Sequence, residues 1–105
     1  MILAEVGGTV AGYALFFSGY DTDRASRGVY LADLFVDADF RRYGVGRALM
    51  KAVARACSDL GGEWMFWSVL KRNRVARKFY KTLAPELNDV VLCAALGDSF
   101  DRLAR

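Results

Sequence analysis

The stretch Arg-Arg-Tyr-Gly-Val-Gly at residues 41–46 decides the fold of this sequence. It follows an almost continuously apolar run, Val29 to Val36, and precedes a segment with apolar residues at helical spacing. Glycine at both positions lets the backbone turn sharply and lets a phosphate approach without meeting a Cβ. The helix N-terminus adds unpaired N–H groups and the positive end of its dipole. The stretch therefore predicts a strand, a turn and a helix that cradle an anion.

The spacing of these glycines leaves a second interpretation open. It lacks the Gly-Lys ending of a P-loop and the third glycine of a dinucleotide fingerprint. A tight strand-to-helix turn with solvated arginines explains the same residues without a ligand. A net charge of +3 and a pI of about 9.1 are compatible with either interpretation.

Upstream of the loop, the pattern predicts strands. Ile2 to Glu5 and Val10 to Phe17 are β-rich runs, and Val-Gly-Gly-Thr at 6–9 between them is typical of a hairpin turn. Ser18 to Gly28 is polar and predicts a loop. Val29 to Val36 is apolar enough to predict a strand that is buried on both faces.

Downstream, helices and strands alternate. Apolar residues at helical spacing predict a helix from Gly46 to Leu60, ended by the Gly61-Gly62 pair. The remaining predicted elements are a strand at 63–70, a helix capped by Asn73, a loop at 85–89, a strand at 90–96 and a helical tail at 99–105. The order β-β-β-α-β-α-β predicts an α/β or α+β sheet covered by helices, in one domain over residues 1–105.

Composition narrows the class of protein. The chain is 54% hydrophobic and 26% charged, as in globular proteins. Cys57 and Cys93 have no metal-site spacing, and histidine is absent, so we expect no metal centre. No apolar run reaches the roughly 18–20 residues of a membrane span, and no signal peptide is recognisable, so we expect a cytoplasmic protein without a membrane partner.

Two motifs in register give the sequence a family resemblance. The pattern Arg/Gln-x-x-Gly-x-Gly/Ala is filled by Arg41, Gly44 and Gly46, and residues 73–80, Asn-Arg-Val-Ala-Arg-Lys-Phe-Tyr, fit Asn-x-x-Ala-x-x-Phe-Tyr. The segment from Tyr30 to Leu83 thus resembles the GNAT superfamily of acetyltransferases. The resemblance implies a GNAT-like acyl-CoA N-acyltransferase fold, with a mixed, mostly antiparallel sheet flanked by helices. Family members usually begin with a further strand and helices, and this sequence starts at the hairpin.

Within that family, the strand sequences Tyr-Leu-Ala-Asp-Leu-Phe-Val at 30–36 and Trp-Ser-Val-Leu at 67–70 look most like the polyamine and thialysine (diamine) branch. That branch carries an acidic residue where this chain has Ala32. It also favours an acidic residue and tryptophan where this chain has Lys71 and Arg72. Because polycations need carboxylates, these departures argue against a polyamine substrate.

The resemblance implies acetyl-CoA as the acyl donor and a primary amine of a small molecule or peptide as the acceptor. The backbone of Leu34–Val36 would pair with the pantetheine arm, and one N–H would polarise the thioester carbonyl. The loop would hold the pyrophosphate. The residues that the resemblance assigns to the cofactor are Leu34, Phe35, Val36, Arg41, Arg42, Tyr43, Gly44, Val45, Gly46, Arg47, Asn73, Ala76 and Tyr80.

By the same resemblance, Tyr80 is the general acid that protonates the departing thiolate. From the residues alone, Tyr80 could equally pack beside Phe79 on the buried face of its helix. The base that removes the proton of the acceptor ammonium stays open between Asp33, Glu63 and a chain of water molecules.

Three further expectations concern partners. Strand edges are commonly covered by a second copy, so we expect a homodimer that makes contact through Val90–Leu96. An alternative to the enzyme is a weakly catalytic coenzyme A-binding module that needs a partner subunit. A nucleic-acid-binding domain is disfavoured because the aromatic residues lie in apolar runs and do not alternate with basic ones.

Overall fold

The computed structural model describes all 105 residues. Two compact units make up the chain, residues 1–68 and residues 69–105. The single domain over residues 1–105 therefore stays a prediction. The first unit contains β1 (Ile2–Val6), β2 (Thr9–Asp21), β3 (Ser26–Val36), a 3-10 turn (Ala38–Phe40), α1 (Val45–Asp59) and β4 (Trp64–Phe66). The second contains α2 (Arg74–Lys81) and α3 (Asp98–Ala104).

The sheet of the first unit is mixed. Its strand order is β1-β2-β3-β4, with the first three strands antiparallel and β4 parallel to β3. A parallel pair needs a crossover connection, and α1 supplies it between β3 and β4. A mostly antiparallel mixed sheet with helices confirms the predicted fold class.

The first hairpin is built as the glycine pair predicts. Gly7 and Gly8 both have positive φ, at 57° and 82°, which is the geometry that favours glycine in a two-residue turn. The predicted loop over residues 18–28 is wrong. β2 and β3 continue into this polar segment and leave only residues 22–25 as the turn.

A local hydrogen-bond network explains why so polar a segment closes a tight hairpin. The Asp21 carboxylate accepts a hydrogen bond from the Asp23 N–H at 2.9 Å and pairs with the Arg24 guanidinium. Arg24 also lies 5.2 Å from the centre of the Phe66 ring, which is within cation–π range. The charged residues of this segment therefore stabilise the turn.

One face of the sheet packs against α1. The helix buries Leu49, Val53 and Cys57, which are four residues apart, and Ala11 and Ala14 of β2 are fully buried. Its observed ends lie one residue from the predicted ones.

The other face of β3 is open to solvent in part, so the prediction of a strand buried on both faces is wrong. Tyr30 and Phe35 are each 46% exposed. Tyr30 packs on Trp64 and Phe66 with ring centres 5.0 and 5.9 Å apart, and of these three only Trp64 is buried. The aromatic side chains of β3 make its sequence look apolar even though no helix covers this face.

β4 is shorter than the strand predicted at 63–70. Pairing with β3 covers only Gly28–Tyr30 against Trp64–Phe66. On the side facing β4, the edge of β3 from Leu31 to Val36 therefore has no strand partner.

In the second unit, the capped helix is confirmed. The Asn73 side chain accepts a hydrogen bond from the Ala76 N–H at 3.2 Å and so satisfies one free donor of the first turn of α2. The helical tail is also confirmed, since α3 spans Asp98–Ala104. No helix of the structure combines the length and apolarity needed to cross a membrane.

The strand predicted at 90–96 is wrong. This segment has no regular secondary structure, and Val90, Val91, Leu92 and Leu96 are each more than 60% exposed. A β-rich sequence becomes a strand only where a neighbouring strand accepts its backbone hydrogen bonds, and residues 90–96 have none within their own unit.

Candidate functional site

The loop between β3 and α1 is held at its start by side chains. Asp37 caps the 3-10 turn by accepting a hydrogen bond from the Asp39 N–H at 2.9 Å. The Nε of Arg41 donates to the Val36 carbonyl oxygen at 3.2 Å, which fastens the loop to the last residue of β3. The predicted phosphate loop and the predicted pantetheine strand are thus joined by a direct bond.

The N-terminus of α1 offers free backbone donors. Gly44 is its N-cap residue, in the left-handed conformation at φ 77°, with no side-chain cap. The first intrahelical bond runs from the Ala48 N–H to the Gly44 carbonyl at 3.0 Å. The N–H groups of Val45 and Gly46 therefore precede the helical ladder and can donate to a ligand.

Charge around this helix end is one-sided. The first turn of α1 contains no acidic residue, while Arg41, Arg42 and Arg47 are all exposed. The positive end of the helix dipole and these guanidinium groups favour an anion together. Tyr43 is 78% exposed beside them, whereas the Val45 side chain is buried in the core and leaves only its backbone for a ligand.

Arg42 stands out because its backbone is strained. It has φ 73°, in the left-handed region that residues other than glycine seldom adopt. Strain of this kind is concentrated at binding sites, where the surrounding structure enforces it.

The open edge of β3 lies next to this loop. Leu34, Phe35 and Val36 pair with β2 on one side, and pairing with β4 on the other side ends at Tyr30. On that other side the Val36 carbonyl oxygen accepts from Arg41, and no strand covers the rest of the edge, so it can take a ligand as an added strand would be taken.

The face of β3 that α1 does not cover carries a polar pair that sequence reasoning missed. The Tyr13 hydroxyl donates to Oδ2 of Asp33 at 2.6 Å, and this bond to the Asp33 carboxylate raises the pKa of Tyr13. Tyr13 also stacks on Phe35, with ring centres 5.6 Å apart. The register of β2 on β3 pairs Tyr13 with Phe35 and so places Asp33 diagonally across from Tyr13. The loop wrongly predicted at 18–28 left this register undefined in the sequence analysis.

The structure separates the two carboxylates that the sequence left as candidate bases. Asp33 immediately precedes Leu34. The Glu63 N–H donates to the Arg27 carbonyl at the opposite end of β3, and Glu63 lines a shallow cavity of about 300 Å³ there. Seven residues separate Arg27 from Leu34, or about 23 Å along a strand. Glu63 is therefore remote from the loop.

The predicted site residues of the second unit lie on α2. The Asn73 carboxamide oxygen is engaged in capping the helix. Ala76 and Tyr80 are half-buried, and the Tyr80 ring lies 5.4 Å from that of Phe79. The packing of Tyr80 beside Phe79 expected from the residues alone is present, and it leaves the proposed acid role untested.

An open strand edge, a glycine loop and a helix N-terminus without a side-chain cap, in this order, are the arrangement that the family resemblance implied. The family model described as Acetyltransferase (GNAT) family matches residues 1–84. The chain belongs to the GNAT acetyltransferase family.

Two curated relatives of this GNAT chain are named N-acetyltransferases. The L-ornithine N5-acetyltransferase NATA1 of Arabidopsis thaliana is 34% identical over 95 residues, which is 90% of this chain and 42% of that protein. The thialysine N-epsilon-acetyltransferase of Bos taurus is 34% identical over 80 residues, which is 76% of this chain and 46% of that protein. The chain thus spans less than half the length of these two relatives.

Solved structures agree on the fold. An integron cassette protein from the mobile metagenome of V. cholerae has a TM-score of 0.89 at 27% identity, covering 98% of this chain and 64% of that one. An aminoglycoside N-acetyltransferase in complex with CoA has a TM-score of 0.76 at 26% identity, covering 88% of this chain and 71% of that one.

Proposed function

We propose that this GNAT chain transfers the acetyl group of acetyl-CoA to a primary amine of a small molecule or peptide by direct attack on the thioester. One observation carries the proposal: a single loop leads from the open edge of β3 to the N-terminus of α1, and Arg41 fastens that loop to Val36. Acetyl-CoA has an anionic pyrophosphate, which would need the helix N-terminus, and an amide-containing pantetheine arm, which would need the strand edge.

The pyrophosphate of the cofactor would bind the loop. The N–H groups of Val45 and Gly46 would donate to its oxygens, and Arg41, Arg42 and Arg47 would supply positive charge around it. Left-handed Gly44 gives the chain its turn into the helix without a side chain in the way.

The pantetheine arm would lie along Leu34, Phe35 and Val36 and pair with their free backbone groups. One of these N–H groups would also polarise the thioester carbonyl, because the transition state develops negative charge on that oxygen. A donor in this role typically contributes about 3–4 kcal/mol to lowering the barrier.

The second unit would complete the chemistry. Tyr80 would donate its phenolic proton to the departing thiolate of coenzyme A, and Asn73 and Ala76 would border the cofactor. These roles come from the match of residues 73–80 to the family motif.

The acceptor would be a side-chain amine of the kind for which the curated relatives are named, ornithine or thialysine. Ala32, Lys71 and Arg72 disfavour a polycation, so spermidine belongs in the panel as a contrasting amine. We place the reaction in the cytoplasm, where the free thiols of Cys57 and Cys93 would stay reduced.

Cofactor binding is tested by stability. Acetyl-CoA at 100 times its Kd should raise the free energy of unfolding by about 2.7 kcal/mol, measured by urea denaturation. Acetylpantetheine, which lacks the pyrophosphate, is the control and should stabilise far less. No stabilisation by acetyl-CoA would overturn the proposal.

Transfer is tested by thiol release over an amine panel, with Tyr80→Phe as the variant. If Tyr80 donates the proton, Tyr80→Phe should lower kcat at least about tenfold and leave acetyl-CoA binding intact. A chain that binds acetyl-CoA but acetylates no amine would be a binding module.

We also propose that two copies associate through Val90–Leu96. The exposed apolar side chains of this segment and the open outer edges of β1 and β4 are surfaces that a second copy could cover. Light scattering should then give twice the 11.7 kDa of one chain, and Leu92→Lys should shift the mass toward one copy. Tyr43→Lys, which places the same charge at an exposed side chain outside the segment, is the control.

A further inference from the structure

The shallow cavity of about 300 Å³ lies at the opposite end of β3 from the glycine loop, and three of its lining residues form a row across the sheet. Tyr20 of β2 is the cross-strand partner of Arg27 of β3. On the other side of Arg27, its carbonyl oxygen accepts from the N–H of Glu63 at 2.7 Å, just before β4 begins. A phenol, a guanidinium and a carboxylate thus stand side by side.

This row lies on the face of the sheet that carries α1. Tyr30 and its neighbour Trp64 belong to the open face. Side chains alternate along a strand, so Arg27, three residues before Tyr30, points to the α1 face, and so does Glu63 next to Trp64. The helix ends at Asp59 and does not cover the row, whose three residues are all exposed.

The two charges of the row are not used by the fold. Neighbouring strands are about 4.8 Å apart, so the backbones of Arg27 and Glu63 are adjacent. Even so, neither side chain takes part in an ion pair. A cation and an anion therefore face the same cavity and are both available to a ligand.

The C-terminus of α1 adds negative potential on the Glu63 side. Leu60 and Gly61, which follow the helix, line the cavity, and the last turn of α1 contains no basic residue. The negative end of the helix dipole and the Glu63 carboxylate favour an ammonium group. The Arg27 guanidinium, with the Tyr20 hydroxyl beside it, favours a carboxylate.

We propose that this cavity binds a free α-amino acid with an apolar side chain, its carboxylate at Arg27 and its ammonium at Glu63. An α-amino acid carries both charges on one carbon atom, so it fits two adjacent side chains of opposite sign. Leu60 and Ala25 supply the apolar part of the lining. Binding here does not depend on the proposed function, because the cavity is about 23 Å along β3 from Leu34.

The test uses three probes that share an aliphatic tail. Leucine carries both charges, 3-methylbutylamine lacks the carboxylate, and 4-methylpentanoate lacks the ammonium. Each is titrated into the full chain, and NMR follows the backbone amides of Ala25 and Gly61. We expect leucine to bind about tenfold more tightly than either single-charge probe, as for one added charge-assisted hydrogen bond.

Two variants assign the charges. Arg27→Gln should abolish the preference for leucine over 3-methylbutylamine and keep the preference over 4-methylpentanoate. Glu63→Gln should do the reverse. A loss of structure would lower the binding of all three probes, so these selective losses report on the ligand contacts themselves.

Arg55→Gln and Glu5→Gln are the matched controls, because each removes the same charge from an exposed residue outside the cavity. Both should keep the two preferences. The inference would be overturned if leucine left the amides of Ala25 and Gly61 unshifted, or if the unaltered chain bound the three probes equally. It would also be overturned if both preferences survived Arg27→Gln and Glu63→Gln.

Discussion

The indole ring of Trp64 lies directly on the backbone of Gly28, its cross-strand partner. A Cβ at residue 28 would overlap the ring atoms of Trp64. The ring is fixed from its other side, because its Nε1 donates to the Ser26 carbonyl at 3.0 Å. This contact secures the only stretch over which β3 and β4 pair.

Gly28→Ala should therefore destabilise the first unit. The ring can move only by giving up its hydrogen bond or its stacking on Phe66, whose ring centre is 4.7 Å away. Overpacking of this kind typically costs about 1–3 kcal/mol. Urea denaturation followed by tryptophan fluorescence measures the loss.

A second substitution serves as the control. If overlap with the ring is the cause, Trp64→Leu should remove most of the cost of Gly28→Ala, and the two substitutions should be clearly non-additive. Strict additivity would mean that the alanine acts through the backbone alone.

The same contact shows how far the sequence predicts this fold. The hairpin at Gly7-Gly8, α1 and the Asn73 cap depend on local chemistry, so spacing and residue type were enough to predict them. The length of β4 and the exposed segment at 90–96 depend on which strand lies beside them, and no local pattern records that.

The candidate site divides in the same way. The phosphate loop is contiguous in sequence, so its glycines and arginines were enough to predict it. The hydrogen-bonded pair of Tyr13 and Asp33 unites residues from two strands and depends on a register that a single bulged residue changes. Only the folded structure shows that Tyr13 contacts Asp33.

Gly44 gives a prediction on the cofactor loop. Its φ of 77° penalises any side chain, and a Cβ there would meet no atom within 4 Å. Gly44→Ala should therefore cost about 1–2 kcal/mol through backbone strain alone. Gly44→Asn should cost less, because asparagine tolerates this conformation.

Both Gly44 variants should weaken acetyl-CoA binding, because the added side chain would face the phosphate. The free energy of unfolding would then be highest with glycine at position 44, lower with asparagine and lowest with alanine. The affinity for acetyl-CoA would be lowered by both replacements. Calorimetric titration with acetyl-CoA checks this. Undiminished affinity in both variants would place the phosphate elsewhere.

Arg42 predicts a conflict between stability and binding. Relief of its left-handed backbone is worth about 1–2 kcal/mol, against roughly 0.5–1 kcal/mol for the greater freedom of glycine in the unfolded chain. Arg42→Gly should thus raise the free energy of unfolding slightly while lowering acetyl-CoA affinity about tenfold, as expected for a lost charge-assisted bond.

Arg42→Gln separates these two effects. It keeps the strained backbone and removes the charge, so it should lose affinity without gaining stability. An Arg42→Gln variant that is more stable than the unaltered chain, or that binds acetyl-CoA as tightly, would contradict these roles of Arg42.

The ion pair between Arg77 and Glu86 predicts the pH dependence of the second unit. Nε and Nη2 of Arg77 donate to the two carboxylate oxygens of Glu86, each at 2.9 Å, while Nη1 donates to the Lys71 carbonyl. The hydrogen bonds from Arg77 lower the pKa of Glu86 below its ordinary value of 4.5. A lowered carboxyl pKa stabilises the fold above the unfolded-state value, and this contribution is lost as pH falls through the folded-state value.

The ion pair should therefore stabilise the structure of residues 71–86 at neutral pH, and this stabilisation should decrease as the pH falls below about 4.5. Glu86→Gln should lower the melting temperature at neutral pH, and the difference from the unaltered chain should vanish in acid, where both side chains are neutral. Glu5→Gln, an exposed carboxylate on β1, controls for the general loss of negative charge. Melting curves across this pH range decide the matter, because a Glu86→Gln deficit that persists in acid would show that the ion pair is not its source.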